Sequence, residues 1–312
     1  MQIVLPGALP DPREARELTP HMLKTAPTLG RWLEHSRATV TQASPGVSGC
    51  TPYERWQLAS RGFVPRREQN FCAGLGPLWG AGQTAAGAPG VPVWLAELVH
   101  VSPSREGARL LAARQLDITP DESVALFAAA HSAFEGSGFQ ASQLATEHWR
   151  ITIESDFSPV CASPRLVSLS SVNEWWPQDA AARPWRKLVN ELQMTWFEHP
   201  VNLARQERGL PPVNSLWLFG GARPEQFPAM QEKEAAQVHE ALLEPMLAHD
   251  WGAWLQALGE LETRVLRPLA NIKPALVLIG SDKYVELKSR GRLAGLLPGG
   301  RISWRNWWSP RD

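Results

Sequence analysis

Alternation of element types constrains this chain more than any other feature. Three short apolar runs, VWLAELVHV (93–101), NSLWLF (214–219) and ALVLIG (275–280), read as buried strands. Between them lie stretches with helix signatures. Thr51 and Glu54 have the spacing of a capping box, Pro52 takes the first helical position and Gly62 follows the end. Thr119, Pro120 and Glu122 repeat that start. PWRKLVNELQMTWFE sets Trp185, Leu188, Val189, Leu192 and Trp196 on one stripe. HWRITIES alternates, with Trp149 and Ile151 on one face. Strands alternating with helices predict an α/β fold, a largely parallel sheet flanked by helices. The Gly-, Ala- and Pro-rich stretch 73–92 reads as a loop and a crossing between domains.

At 312 residues the chain has room for two domains, or one with an insertion. Lys plus Arg and Asp plus Glu are both 31, so the excess positive charge on which general nucleic-acid binding rests is missing. Cys50, Cys72 and Cys161 are far apart and form no CxxC, which argues against a disulfide framework or a cysteine zinc site and fits a reducing cytoplasm. MQIVLPGALPDP has no basic start and is broken by Pro6 and Pro10, unlike a signal peptide. No apolar run is long enough to span a bilayer, so the expectation is a cytoplasmic protein with no membrane partner. Tryptophan is over-used, 15 against 2 Tyr and 9 Phe. Most of these rings belong in cores. The C-terminal ISWRNWWSP, with Trp304, Trp307 and Trp308, is the candidate for an exposed cluster that meets a protein partner.

Sites in parallel sheets gather at the C-terminal ends of strands. Two such ends carry polar residues. In WLFGGARPE, Gly220 and Gly221 permit close backbone approach and Arg223 is placed to meet an anion; in VLIGSDKY, Ser281, Asp282 and Lys283 follow the strand directly. The histidines form no HxH or HExxH pattern, and in LAHDW Asp250 reads as the N-cap of a helix rather than a partner of His249. HPVNLARQERGLPPVNSLWLFGG (199–221) spends His199, Asn202, Arg205, Arg208 and Asn214 in a polar loop ahead of an apolar strand. Its arginines carry forked donors suited to phosphate or carboxylate; the competing reading is a solvated loop with Asn202 and Asn214 as turn formers.

The order of these pieces resembles the archaeal-type cofactor-independent phosphoglycerate mutases of the alkaline phosphatase superfamily. The 199–221 stretch is similar to their His-Pro-x-Asn…Arg…Gly-Leu-x-Pro-x-Asn run. MQIVLPGALPDP looks like their first strand and its turn, TAPTLGRWL like their TPNLDxLA, YERWQLASRGFVP like a segment ending in a Gly-Tyr-Asp-Pro turn, and FCAGLGPLWGAG like GRGPxEAxGAG. LDITPDES followed by HWRITIE matches their inserted domain. A proteobacterial group described as phosphoglycerate mutase-like or Rpf-type regulatory proteins is a closer likeness. The resemblance implies an alkaline-phosphatase-like core from 1–90 and 211–312, with a smaller α+β domain inserted at 91–210.

The family reaction uses two divalent metals and a serine that carries the phosphoryl group. The ligand aspartate of the first turn falls at Pro6 or Gly7, neither of which can hold a metal. The nucleophile position, counted back from Gly62, falls at Tyr53, with the hydroxyls of Thr51 and Ser48 nearby. The late Asp-His pair appears as Asp282-Lys283, and the Asp-x-x-x-His-Asp segment is reduced to LAHDW. The resemblance therefore implies a degenerate, non-catalytic relative without a metal cofactor. It would bind a small anionic ligand through His199, Asn202, Arg205, Arg208, Asn214, Arg223 and Lys283, or meet a protein partner. The alternative is an active phosphomutase or phosphatase in which Thr51 or Ser48 attacks and Asp282 helps hold a single divalent metal.

Overall fold

The structure is a computed structural model and describes residues 1–80, 90–105, 107–154, 157–227, 236–272, 274–289 and 304–309. Its strands are β1 (Gln2–Leu9), β2 (Ser36–Gln42), β3 (Val93–Ser104), β4 (Gly107–Leu111), β5 (Phe139–Gln143), β6 (His148–Ile153), β7 (Ser215–Ala222), β8 (Gln237–Val238), β9 (Ala275–Gly280) and β10 (Lys283–Ser289). The chain forms two compact units, Met1–Ser44 with Met230–Asp312, and Pro45–Ala229.

The first unit holds a sheet of order β2-β10-β9-β1-β8. β1 runs parallel to β9 and β8, whereas β10 runs antiparallel to both β9 and β2. The helix Pro12–Thr25 begins on a proline and buries Ala15, Leu18, Thr19 and Met22, the i, i+3, i+4, i+7 stripe of an amphipathic helix. The helix Trp251–Leu261 starts where Asp250 Oδ1 accepts the Ala253 N–H at 2.9 Å, the cap read from the sequence, and buries Trp254, Leu258 and Leu261. These side chains close over Ile3, Leu5, Leu276 and Leu278. Burial of each full side chain contributes roughly 1.5–3 kcal/mol.

The C-terminal tryptophans belong to this core and form no exposed cluster. Residues Arg305–Trp308 make a helical turn, which sets Trp304 and Trp308 on one face. Both rings are buried, and the Trp308 indole N–H donates to the Ala15 carbonyl at 3.2 Å.

The second unit holds a sheet of order β4-β3-β6-β5, with β7 paired to β3. All its pairings are antiparallel. A largely parallel sheet is thus not what forms: one sheet is mixed and the other antiparallel. A strand buried on both faces reads as a continuous apolar run whichever way its neighbours point, so the sequence carried no signal for direction. β7 is buried at every position and lies along β3 from Val93 to Val99. That pairing keeps 215–222 in one unit with 93–153, so the unit boundaries at 44/45 and 229/230 differ from the expected joints at 90/91 and 210/211. The stretch 73–92, expected as a loop, is helical at its start, a 3-10 turn Phe71–Gly74 and a helix Leu75–Gly80, and is a turn without regular structure at 90–92; 81–89 lie outside the described residues. Among the described residues no helix is long and apolar enough to cross a membrane.

Candidate functional site

The 199–214 segment is a helix and a turn, followed by an irregular stretch at 210–214. Pro200–Glu207 is helical, with Pro200 in the first position and His199 as the N-cap, its Nδ1 accepting the Val201 N–H at 3.2 Å. The polar side chains that follow turn inward onto main chain. Asn202, buried, donates to the carbonyls of Trp196 and Val213 at 2.8 Å each and accepts the Val213 N–H at 2.8 Å. Arg205 has a fully buried side chain; it donates to the Pro211 carbonyl at 3.0 Å, to the Leu116 carbonyl, and to Glu122 Oε2 at 2.7 Å. Arg208, half exposed, donates to Glu122 Oε1 at 2.5 Å. Asn214 exchanges two hydrogen bonds with the main chain of Val101, at 2.8 and 2.9 Å. Burial alone would raise the Glu122 carboxyl, but the Thr119 N–H and the guanidinium groups of Arg208 and Arg205 outweigh it and hold the carboxyl below its ordinary value. Buried polar groups need partners, and here the chain itself supplies them.

The glycine pair near the end of β7, where its register with β3 shifts, also serves packing. Gly220 and Gly221 have φ of +95° and +102°. A Cβ on Gly220 would sit 2.7 Å from the Val93 carbonyl oxygen, and one on Gly221 would sit 2.4 Å from the Trp94 ring. The close approach expected for a ligand is made by β3. Arg223, half-buried, neighbours Glu225, whose Oε1 accepts the Gly90 N–H at 2.7 Å.

Ser48 ends the short helix Pro45–Ser48, and Thr51 is the N-cap of the helix Pro52–Ser60. Both are buried, and Ser48 Oγ donates to the Cys50 carbonyl at 2.9 Å. The expected capping box is complete: the Thr51 N–H donates to Glu54 Oε2 at 2.7 Å while Thr51 Oγ1 accepts the Glu54 N–H at 3.3 Å. Thr51 Oγ1 also donates to Glu54 Oε2 at 2.9 Å, and Ser163 Oγ does so at 2.7 Å. Glu54 Oε1 is buried with no hydrogen-bond partner among the described residues. Desolvation by burial pushes the Glu54 carboxyl up, against the lowering effect of the bonds from Ser163 and Thr51. The folded protein therefore holds this proton more tightly than the unfolded chain. The associated stability is present below about 4.5, the ordinary value, and is lost as pH rises through the folded value. Glu54→Gln keeps an acceptor for the three bonds and removes the charge. Urea unfolding between pH 4 and 8 should show the variant gaining on the wild type by about 1 kcal/mol or more toward pH 8. A constant difference across that range would show that the buried charge costs nothing.

In the first unit, Asp282 is exposed and its carbonyl accepts the Ala43 N–H at 2.7 Å. Lys283 Nζ donates to the Trp307 carbonyl at 3.3 Å, a tie to the C-terminal turn. Ser281 Oγ donates to Asp11 Oδ1 at 2.6 Å, so the ends of β1 and β9 meet through Asp11, which the sequence reading did not single out although Asp-Pro marks a helix start. Of the two positions at which the resemblance implies a metal-binding aspartate, Pro6 and Gly7, the second is closed by main chain. Gly7 has φ of +81°, and a Cβ there would lie 2.4 Å from the Leu242 carbonyl oxygen and 2.6 Å from Leu243 Cα. The Gly7 carbonyl accepts the Trp254 indole N–H at 2.8 Å. His249 packs its ring against Trp251 rather than beside a carboxylate pair. Among the described residues, no group of three or more His, Cys, Asp or Glu side chains is arranged to hold a metal ion.

No family model matches the chain. Over 72 residues it is 26% identical to a 2,3-bisphosphoglycerate-independent phosphoglycerate mutase of Methanosarcina mazei, a match that spans 23% of this chain and 18% of that relative's length. Two solved structures are similar across most of the chain. The cofactor-independent phosphoglycerate mutase of Thermoplasma acidophilum gives a TM-score of 0.36 at 15% identity, covering 93% of this chain and 89% of that one. The PH0037 protein from Pyrococcus horikoshii gives 0.43 at 12%, covering 93% and 87%.

Proposed function

We propose that this chain is a non-catalytic, phosphoglycerate mutase-like protein with a binding or regulatory role, working in a reducing cytoplasm without a metal cofactor. The observation that carries the reading is the closure of the β1 end. At Gly7, which with Pro6 is where the resemblance implies a metal-binding carboxylate, the chain is pressed against the backbone of Leu242 and Leu243, with no room for a side chain. The 199–214 segment supports it, because its amides and its buried guanidinium are occupied by the protein's own groups. The three free thiols are buried, and burial pushes the Cys161 thiol up to about 12, as expected of inert structural cysteines.

The test is metal analysis of the purified protein together with a phosphoglycerate mutase assay in the presence of manganese or zinc. Substoichiometric metal and no turnover are expected. Stoichiometric manganese or zinc with turnover would overturn the reading. The contact between Thr51 Oγ1 and Glu54, 2.9 Å, favours the alternative of an alcohol activated by a carboxylate. If turnover is found, loss of activity in Thr51→Ala, Ser48→Ala or Asp282→Asn would locate that chemistry.

A further inference from the structure

The second unit contains an open cleft of about 350 Å³ outside all the residues considered so far. One wall is the β3–β4 hairpin, with Ser104, Arg105 and Arg109; the other is the turn between the helices Pro164–Leu169 and Val172–Trp175, with Ser168, Ser170 and Ser171. Among the described residues the lining holds two arginines and no carboxylate. Neither guanidinium is bonded to a carboxylate among the described residues. This contrasts with Arg205 and Arg208, which share Glu122.

The walls are firmly seated. Leu110, Leu166, Val167, Val172 and Trp217 form a small core beneath them. The hairpin tip is docked on the second wall, since a Cβ on Gly107 would lie 2.1 Å from Asn173 Nδ2. In the β3–β4 register Arg109 stands opposite Ser102 and Gly107 opposite Ser104, which puts Ser104 and Arg109 on one face. The hydroxyls of Ser168 and Ser170 donate back to the Arg165 and Leu166 carbonyls, so toward the cleft they offer lone pairs. Ser171 differs. Its Oγ accepts the Asn173 N–H at 3.3 Å, which leaves its own proton available to a ligand.

We propose that this cleft binds the phosphate group of a small phosphomonoester, with Arg105 and Arg109 as forked donors and Ser171 Oγ as a third. Paired guanidinium groups suit the tetrahedral phosphate, which accepts two parallel N–H bonds from each. The volume falls in the range of small-molecule sites. The chain carries no net charge, so it lacks the excess positive charge on which general nucleic-acid affinity rests. The proposal rests on the reading of the chain as a binding protein and gives that reading a site and a ligand class.

Calorimetric titration with glycerol 3-phosphate, inorganic phosphate and acetate, at low ionic strength and at 0.15 M salt, tests it. Screening reduces the contribution of exposed charges at the higher salt, so binding that persists there marks a built site. Glycerol 3-phosphate is expected to bind at least tenfold more tightly than acetate. The double variant Arg105→Ala/Arg109→Ala should weaken it at least tenfold, and Arg105→Lys/Arg109→Lys should restore only part of the loss. No binding by the wild type, equal binding of acetate, or undiminished binding in the alanine variant would each overturn the site. Tighter binding of a nucleic-acid oligomer than of glycerol 3-phosphate would overturn the ligand class. None of these results bears on mutase turnover or metal content, so the site and the non-catalytic reading fail separately.

Discussion

Arg205→Ala should lower folding stability by about 3–5 kcal/mol, the range for breaking a buried ion pair from one side. The side chain is fully buried and joins three parts of its unit: the turn at Pro211, the carbonyl of Leu116 and the helix start at Glu122. Truncation takes a donor from the buried Leu116 carbonyl and the part-buried Pro211 carbonyl and leaves a cavity the length of the side chain. Arg208 still reaches Glu122, which keeps the cost from rising further. Urea unfolding at pH 7 measures the loss, and the pH dependence shows its origin. Glu122 is held below its ordinary 4.5 in the folded protein, so its contribution is complete above 4.5 and is lost as pH falls through the folded value. The gap between wild type and variant should therefore narrow in acid. A double-mutant cycle with Glu122→Gln should give a coupling of roughly 1–3 kcal/mol. A loss under 1 kcal/mol with no coupling would mean that Arg205 is released from this network in solution, and would return it to the candidates for ligand binding.

The same residue shows how far the sequence could be read. Arg205 stood out as a cation in a polar stretch, and its type was compatible with either an anion or an internal partner. Only burial decides between them, and burial here depends on Glu122, 83 positions away. Capping signals were legible because they are local: Thr51 with Glu54, Thr119 with Glu122, and Asp250 before Trp251 all form as their spacing requires. The His199 cap was missed because histidine is not among the usual N-cap residues, although Pro200 marked the helix start. Strand direction was not legible, since NSLWLF would read the same beside a parallel or an antiparallel neighbour. The C-terminal tryptophans were misjudged through their element type: on a strand they would splay, but in a helical turn two of them face inward. The Arg105–Arg109 cleft had no motif at all. It is assembled from two segments about 60 residues apart, each unremarkable alone, and only the docking of the hairpin on Asn173 brings them together.

Gly7→Ala should be as damaging as the loss of Arg205, and Gly7→Asp more so. β1 bends here, its register with β9 shifting between Pro6 and Leu9, and the bend requires a positive φ. An L-residue in that conformation costs on the order of 1–2 kcal/mol before any contact is counted. The added Cβ would then meet the carbonyl of Leu242 at 2.4 Å and Leu243 Cα at 2.6 Å, main-chain atoms that cannot rotate aside. Relief means displacing the helix Leu243–Leu247 or the Trp254 indole bonded to the Gly7 carbonyl. A combined loss of about 3 kcal/mol or more follows, read as a fall in Tm of roughly ten degrees. The aspartate variant makes the functional point as well. It places the carboxylate that the family resemblance implies at the strand end, yet this position is filled from the other side by protein. Gly7→Asp is therefore expected to unfold early and to take up no manganese or zinc. A stable Gly7→Asp protein that binds either ion stoichiometrically would mean the strand end opens readily, and the closure would no longer support a non-catalytic role.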